Sequence, residues 1–485
     1  MHQSRALSKT NPHELKRGLG NRHLQMIAIG GAIGTGLFMG SGKTIYLAGP
    51  SIIFIYAIIG FFLYFVMRAM GEMLLSDLKY HSFRDCVEDM CGPCMGFFTG
   101  WTYWACWVTI GMADLSAVTS YVLWWFPECP KWVPAACVLA LVLCLNLVAV
   151  RAFGEIEFWF ALIKIVAIGA LIVTALYLGF TGFVSPDGDV ASFGNVLNLE
   201  GGGMFPNGLM GFLAGFQIAF YAFEGIELAG TAAAETANPE KTLPKAINAI
   251  PVRIVVFYVF ALAAILTVTP FLSINPEISP FVQMFSLTGL FGAASVVNFV
   301  VLTAAASSMN SGVYSTSRML YGLAQTKLAP KFFGWLSKSA VPANALIFST
   351  VCILPGLAFL YASDTIIEAF TYATTVSSVM FIFAWGSILV AYLRYRVKYP
   401  ERHEASTYKM PAGRLMCWVV LGFFAVMVGI LAMDPATLRA ELLSPLWFVF
   451  LGAVYLVRKA VAKKHPVEAL EEELESLEAS SEAMD

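Results

Sequence analysis

The sequence predicts an all-α polytopic membrane protein with about 12 transmembrane helices. Three observations carry that reading: charge is scarce, apolar runs of spanning length recur along the chain, and basic residues are partitioned by side. Of 485 residues, 58% are hydrophobic and 13% are charged, whereas a soluble globular domain carries about 25% charged residues. The net charge of −2 conceals the partition, which matters more than the sum.

Taken in order, residues 1–23 are polar and hold Arg5, Lys9, Lys16, Arg17 and Arg22, which predicts a cytosolic tail rather than a cleavable leader. Apolar stretches suited to a hydrocarbon core about 30 Å thick follow at 24–47, 49–75, 95–126, 132–149, 156–180, 208–232, 247–271, 285–322, 342–361, 366–393, 414–433 and 443–459. The third and eighth are long enough to tilt or to project beyond the bilayer. With the N-terminus inside, only Lys43, Lys131 and Arg439 of the 30 Lys and Arg fall on external segments. Arg68 and Lys164 lie within spans, and every other one falls inside. An odd number of spans would destroy this asymmetry, so both termini are expected in the cytosol. The acidic stretch 468–485 reads as a solvated end without assigned function. Nine cysteines are scattered along spans and cytosolic ends, which predicts reduced thiols.

Two spans are predicted to be broken. The first contains Gly30, Gly31, Gly34 and Gly36, and each glycine costs a helix about 1 kcal/mol relative to alanine. Unwound backbone at membrane depth survives only beside protein or water, where a half-helix N-terminus favours a carboxylate. The competing reading is a glycine face for close helix packing. The sixth span carries Glu224, Gly225 and Glu227 in mid-run, and charged groups there normally face a cavity or a partner. Interrupted helices five spans apart point to a five-plus-five inverted repeat. Residues 24–180 would form the first repeat (helices 1–5), 181–207 an external loop and 208–395 the second repeat (helices 6–10). A cytosolic loop at 396–413, two appended helices over 414–461 and the acidic tail 462–485 complete the chain.

Several stretches jointly carry a family resemblance. They are Asn21-Arg22-His23-Leu24-Gln25 leading into Gly30 to Gly36, Arg68-Ala69-Met70-Gly71-Glu72, and Gly154-Glu155-Ile156-Glu157-Phe158-Trp159. Ala234-Glu235-Thr236 with Asn238-Pro239-Glu240-Lys241, Ser317-Arg318-Met319-Leu320 and Tyr408-Lys409-Met410-Pro411 complete the set. Through them the chain resembles the bacterial amino acid permeases of the amino acid–polyamine–organocation superfamily over nearly its whole length. Ser41-Gly42-Lys43-Thr44, Leu47 to Phe54 and Gly111-Met112-Ala113-Asp114 are similar to members for small neutral substrates rather than aromatic or basic ones. The resemblance implies the leucine-transporter fold and proton symport of glycine, D-alanine, D-serine and L-alanine in a bacterial inner membrane. It implies no cofactor beyond the coupling proton, and no nucleic acid partner.

The resemblance also implies roles. Backbone N–H groups at Ile33, Gly34, Thr35 and Gly36, with the Thr35 hydroxyl, would hold the substrate carboxylate. Carbonyls at Ala32, Tyr221, Ala222 and Glu224 would hold its ammonium, and Tyr221 stands where related exchangers place an aromatic gate. Neutral-substrate relatives commonly have an apolar residue at Glu224. Its side chain either faces the cavity, favouring a cationic group or a second proton, or lies in a hydrogen-bonded seam. Lys164 has apolar neighbours on every side, and desolvation disfavours its charged form. It either couples protons, facing Ser307-Ser308-Met309-Asn310-Ser311, or snorkels to the cytosolic surface, the polar Glu155/Glu157 end lying about two turns away. Glu227 and Asp114 are further candidates for coupling or gating. Glu72, Arg151 and Arg318 fall near cytosolic ends, where interfacial positioning competes with a gate ion pair.

Other motifs fail. Gly40-Ser41-Gly42-Lys43-Thr44 imitates a phosphate loop, but Leu37 occupies the position that must be glycine. Gly31, Gly34 and Gly36 lack the order and the strand–helix context of a dinucleotide fingerprint. Cys91-Gly92-Pro93-Cys94 has redox spacing in the wrong context, and no second pair completes a zinc site. All six histidines lie in cytosolic segments, so no span offers a histidine base or metal ligand and an enzyme is not expected. The rivals that remain are an amino acid exchanger on the same fold and a symporter of a different, cationic amino acid. A sodium symporter is disfavoured by the Lys164 charge, and a channel by a site between broken helices.

Overall fold

Hydrocarbon offers no partner to a backbone amide, so apolar runs of this length close their hydrogen bonds within the segment, as helices. The computed structural model has that architecture. It describes residues 33–80, 82–148, 150–198, 201–228, 238–289 and 291–464. The predicted N-terminal tail, residues 465–485 of the predicted acidic tail, Gly30, Gly31 and Ala32 of the first span, the Ala234-Glu235-Thr236 motif and the Arg151 side chain lie outside the described residues. Among those residues the only bridge between extended segments joins Val184 to Val190.

In chain order the principal helices are α1 (Ser41–Ala48), α2 (Ile52–Ser76), α3 (Phe83–Cys91), α4 (Pro93–Trp125), α5 (Trp132–Val148) and α6 (Val150–Thr181). Then come α7 (Gly208–Ala219), α8 (Pro239–Asn248), α9 (Phe260–Val268), α10 (Pro280–Leu287), α11 (Phe291–Gln325) and α12 (Ala343–Val351). The last are α13 (Gly356–Ala362), α14 (Ile366–Lys398), α15 (Pro400–Ala405), α16 (Gly413–Leu431) and α17 (Pro435–Lys464). Among the described residues, nine helices are long and apolar enough to cross a membrane, and two shorter apolar ones, Trp132–Leu147 and Gly208–Phe223, accompany them.

The helices fall on the apolar runs read from the sequence, with differences at their ends. α11 begins at Phe291 rather than near 285, because α10 ends at Leu287 and a turn separates the two. The ninth run is two helices, interrupted between Val351 and Gly356. The imitation of a phosphate loop is mostly α1 itself, so its amides face along a helix. Cys91 ends α3 and Cys94 lies in the first turn of α4; between them Gly92 adopts φ 91°. That left-handed corner favours glycine, and Pro93 suits the first helical turn.

α4 packs extensively along both α11 and α14. α14 also meets α2, α16 and α17, α6 meets α9 and α11, and α1 lies against α7. Trp385, Tyr56, Tyr103, Tyr258, Tyr392 and Lys164 are among the largest fully buried side chains. The periphery is apolar: Leu442, Leu446, Val449, Phe450 and Val457 of α17 are exposed, a face that suits lipid rather than water.

Candidate functional site

The first and sixth spans meet where both depart from regular helix. Gly36–Gly40 forms a π-helical turn leading into α1, and such turns are frequent at functional sites. Opposite it, α7 ends at Ala219, Tyr221–Phe223 tightens to a 3₁₀ turn, Glu224 is extended (ψ 136°) and Gly225 adopts φ 98°. A Cβ on Gly36 would stand 2.5 Å from Ala222 Cα and 2.8 Å from its nitrogen, so main chain rests on main chain. One turn on, a Cβ on Gly40 would meet Ile218 at 2.6 Å. Close packing therefore accounts for Gly36 and Gly40. Gly34 has more room, its nearest neighbour being Ser308 Oγ at 3.5 Å.

A polar chain crosses this junction. Thr35 donates its hydroxyl proton to Asp114 Oδ1 of α4 at 2.7 Å, and the Tyr221 hydroxyl lies 3.1 Å from the same Thr35 oxygen. Because a hydroxyl has one proton to give, Tyr221 is the donor in the second bond. Asp114 is fully buried, and its Oδ2 has no hydrogen-bond partner among the described residues. The Tyr121 hydroxyl and Trp107 Nε1 are likewise buried without one. In this arrangement the Thr35 hydroxyl, expected to face the substrate carboxylate, is engaged by Asp114. The Gly34 carbonyl accepts from Leu37 (3.2 Å) and Phe38 (3.3 Å), and Ile33 is buried. Ala32 lies outside the described residues.

The break in the sixth span is held by side chains. Glu227 Oε2 accepts the Gly225 N–H at 3.1 Å and its Oε1 accepts the Tyr103 hydroxyl at 3.0 Å, so an acidic group caps the freed backbone. Tyr258 donates to the Ala222 carbonyl at 3.0 Å, and Glu224 N–H donates to the Tyr221 carbonyl at 3.0 Å. Two carbonyls expected to face an ammonium group thus each already accept one bond, leaving one lone pair apiece. The Glu224 carboxylate accepts from Ser377 and, at 2.8 Å, from Ser378. It lies in a seam with α14. The Tyr221 ring meets Phe370 edge-on at 5.6 Å.

Behind this junction lies a second buried network. Lys164 Nζ donates to Ser307 Oγ at 3.0 Å, and Ser307 donates in turn to Glu157. Asn310 Nδ2 reaches Glu157 Oε2 at 3.3 Å, and Asn146 Nδ2 reaches Asn310 Oδ1 at 2.7 Å. Lys164 and Glu157 are both completely buried. Lys164 therefore points inward, to α11, rather than out to the cytosolic surface. Sequence reasoning placed Glu157 at a polar helix end and missed it as a partner. The available signal was its spacing, seven residues before Lys164 and hence on the same helix face. Tyr103, Tyr258, Ser377 and Ser378 were missed as well, because nothing local in the sequence marks them.

At the predicted cytosolic side, Glu72 is fully buried rather than interfacial. It accepts from the Tyr392 hydroxyl (2.7 Å), from the Met410 N–H (2.7 Å) and pairs with His403. Arg68 donates to Asn248 Oδ1 at 2.9 Å and stacks on Tyr408 at 3.8 Å. Asp89 is held by Tyr80 (2.6 Å) and Lys398 (2.8 Å), and Arg402 pairs with Asp77 at 3.2 Å. Arg318 stacks on the Tyr314 ring at 3.4 Å. No group of His, Cys, Asp and Glu among the described residues is arranged to hold a metal.

Comparison with known proteins adds an independent line. The family model described as "Amino acid permease" matches residues 23–466. The chain is 59% identical over 454 residues to the D-serine/D-alanine/glycine transporter of Escherichia coli (strain K12), covering 94% of this chain and 96% of that one. It is 50% identical over 445 residues to the amino-acid permease AapA of Bacillus subtilis (strain 168), covering 92% and 95%. Against the aromatic amino acid transport protein AroP of Escherichia coli O157:H7 the identity is 39% over 450 residues, covering 93% and 97%.

Proposed function

The chain belongs to the amino acid permease family, and from that premise we propose that it is a proton-coupled symporter of small neutral amino acids. Glycine, D-alanine, D-serine and L-alanine are the substrates, imported by alternating access across a bacterial cytoplasmic membrane. The D-serine/D-alanine/glycine specificity of the Escherichia coli relative at 59% identity supports the substrate class. What supports the coupling is the buried ionisable network of Lys164, Glu157 and Asp114 around Ser307 of the eighth span, since charge at such depth is costly and normally functional. The Glu224 seam favours a neutral over a cationic substrate, because both carboxylate oxygens are engaged by Ser377 and Ser378.

On this reading twelve spans form two inverted repeats of five plus two appended helices, with both termini cytosolic. The substrate carboxylate meets the amides of Ile33, Gly34, Thr35 and Gly36. Its ammonium meets the remaining carbonyl lone pairs at Tyr221, Ala222, Glu224 and Ala32, while Lys164, Glu227 and Asp114 serve coupling or gating. A zwitterion needs donors at one end and acceptors at the other, and the junction supplies both.

The test is uptake of labelled glycine and D-alanine by proteoliposomes, with and without an inside-alkaline gradient. Concentrative uptake that requires the gradient is the expected result. Uptake that ignores the gradient and needs preloaded internal amino acid would establish an exchanger instead.

A further inference from the structure

Two buried carboxylates flank one buried amine. Lys164 of α6 interacts with Glu157 on its own helix and with Asp114 of α4, and all three are fully removed from solvent. Fully ionised, the trio carries one excess negative charge, and an uncompensated charge at this depth is expensive. One proton restores neutrality. The two carboxylates are unequal hosts for it. Glu157 takes hydrogen bonds on both oxygens, from Ser307 and Asn310, with Lys164 bonded to that same Ser307. Asp114 accepts from Thr35 on Oδ1 with the Ser308 hydroxyl beside it, and its Oδ2 meets no donor at hydrogen-bonding geometry among the described residues. The other groups around Asp114 are Tyr221 from the sixth-span break, Tyr121 on its own helix and Ser308 of α11. Among the described residues that act on Asp114, Lys164 is the one cation.

We propose that the transported proton rides on Asp114 Oδ2, while Lys164 remains an ammonium serving as the fixed counter-charge of Glu157. The proposal rests on the symport reading and assigns its proton to an atom. The proton enters from external water, converts the Asp114 carboxylate to the acid, and leaves to the cytosol. A neutral acid is a weaker acceptor than a carboxylate. Protonation therefore releases the Thr35 hydroxyl from Asp114 and lets it turn toward the substrate carboxylate. Substrate binding favours the protonated form by the same amount, as linkage requires. Tyr221, which donates to Thr35, carries the change to the sixth-span break.

The experiment uses the full chain in proteoliposomes and reads the ratio of D-alanine uptake with and without an inside-alkaline gradient, alongside proton entry reported by an internal pH dye. Wild type should show a ratio well above one. Asp114→Asn should bring the ratio of whatever uptake remains to one and abolish substrate-driven proton entry. Lys164→Arg, which keeps a charge that cannot be given up, should retain gradient stimulation. Asp114→Glu covers the case in which the asparagine variant does not fold: it should keep stimulation, with the pH of half-maximal uptake displaced from wild type. A wild type indifferent to the gradient sinks the symport reading itself. A responsive wild type beside an equally responsive Asp114→Asn, or an Asp114→Glu profile superimposed on wild type, overturns the proposal alone.

Discussion

Replacing Gly36 by alanine tests the junction at its tightest point. The added Cβ would stand 2.5 Å from Ala222 Cα, 2.8 Å from Ala222 N and 2.8 Å from Tyr221 Cδ1. Non-bonded carbons settle at about 3.5–4.0 Å, so the first span must retreat from the sixth by about 1 Å. Two of the obstructing atoms are main chain, which no rotamer change can move aside. Overpacking of this kind costs about 1–3 kcal/mol. Displacement by about 1 Å at a positioned site can cost about 100-fold in rate. The amide that Gly36 would offer a substrate is unchanged, so any loss reports geometry rather than a missing donor. Gly34→Ala is the control, since its Cβ meets Ser308 Oγ at 3.5 Å and Ser308 Cβ at 3.8 Å, both ordinary contacts. The assay is initial D-alanine uptake together with the melting temperature of the detergent-solubilised protein. Gly36→Ala should lose most uptake and some stability, and Gly34→Ala should lose far less stability. If Gly36→Ala matched wild type in both, the close contact between the two spans would be wrong.

Three further outcomes are expected. Tyr258→Phe removes the donor to the Ala222 carbonyl, and a buried acceptor left without its partner costs about 1–3 kcal/mol, readable as a lowered melting temperature; an unchanged value would mean that the bond contributes nothing. Glu72→Ala strips partners from the Tyr392 hydroxyl and the Met410 amide, so it should destabilise by a similar about 1–3 kcal/mol, whereas His403→Ala, partly exposed, should cost less. For Asp89, partial burial works against the carboxylate, but hydrogen bonds from Lys398 and Tyr80 outweigh it and hold its pKa below the usual value. A lowered folded-state pKa gives stability that is full above the unfolded pKa and lost as pH falls through the folded one. The stability gap between wild type and Asp89→Ala should therefore be widest near neutrality and shrink once pH falls below about 4; a gap that widens on acidification would contradict the assignment.

Much of the architecture was legible because it follows from hydropathy alone. The run at 95–126 returned as α4 within two residues at each end, and 366–393 as α14 with the same start and an end at Lys398, since nothing but a helix can carry such segments through lipid. The break at Glu224 and Gly225 was legible too, because charge and glycine in mid-span are both anomalous. The glycines of the first span were ambiguous in sequence; the contact of Gly36 with Ala222 belongs to packing, which a string of residues does not display. What remained hidden were partnerships between distant residues. Tyr258 reaches a backbone carbonyl 36 positions away, and Glu72 meets His403 across 331. Glu157 was misplaced for a different reason, since a carboxylate near Glu155 reads as a solvated end until its helix face is matched to that of Lys164.

The contact between Gly36 and Ala222 also constrains how the protein can diversify. Where main chain lies on main chain, no side chain is present for mutation to exchange, and any residue larger than glycine at 36 pushes the partners apart. A lineage acquiring new cargo cannot do so by editing this junction. It must work from the surrounding walls, on α4, α11 and α14, which meet the junction through side chains such as Asp114, Ser308 and Ser377.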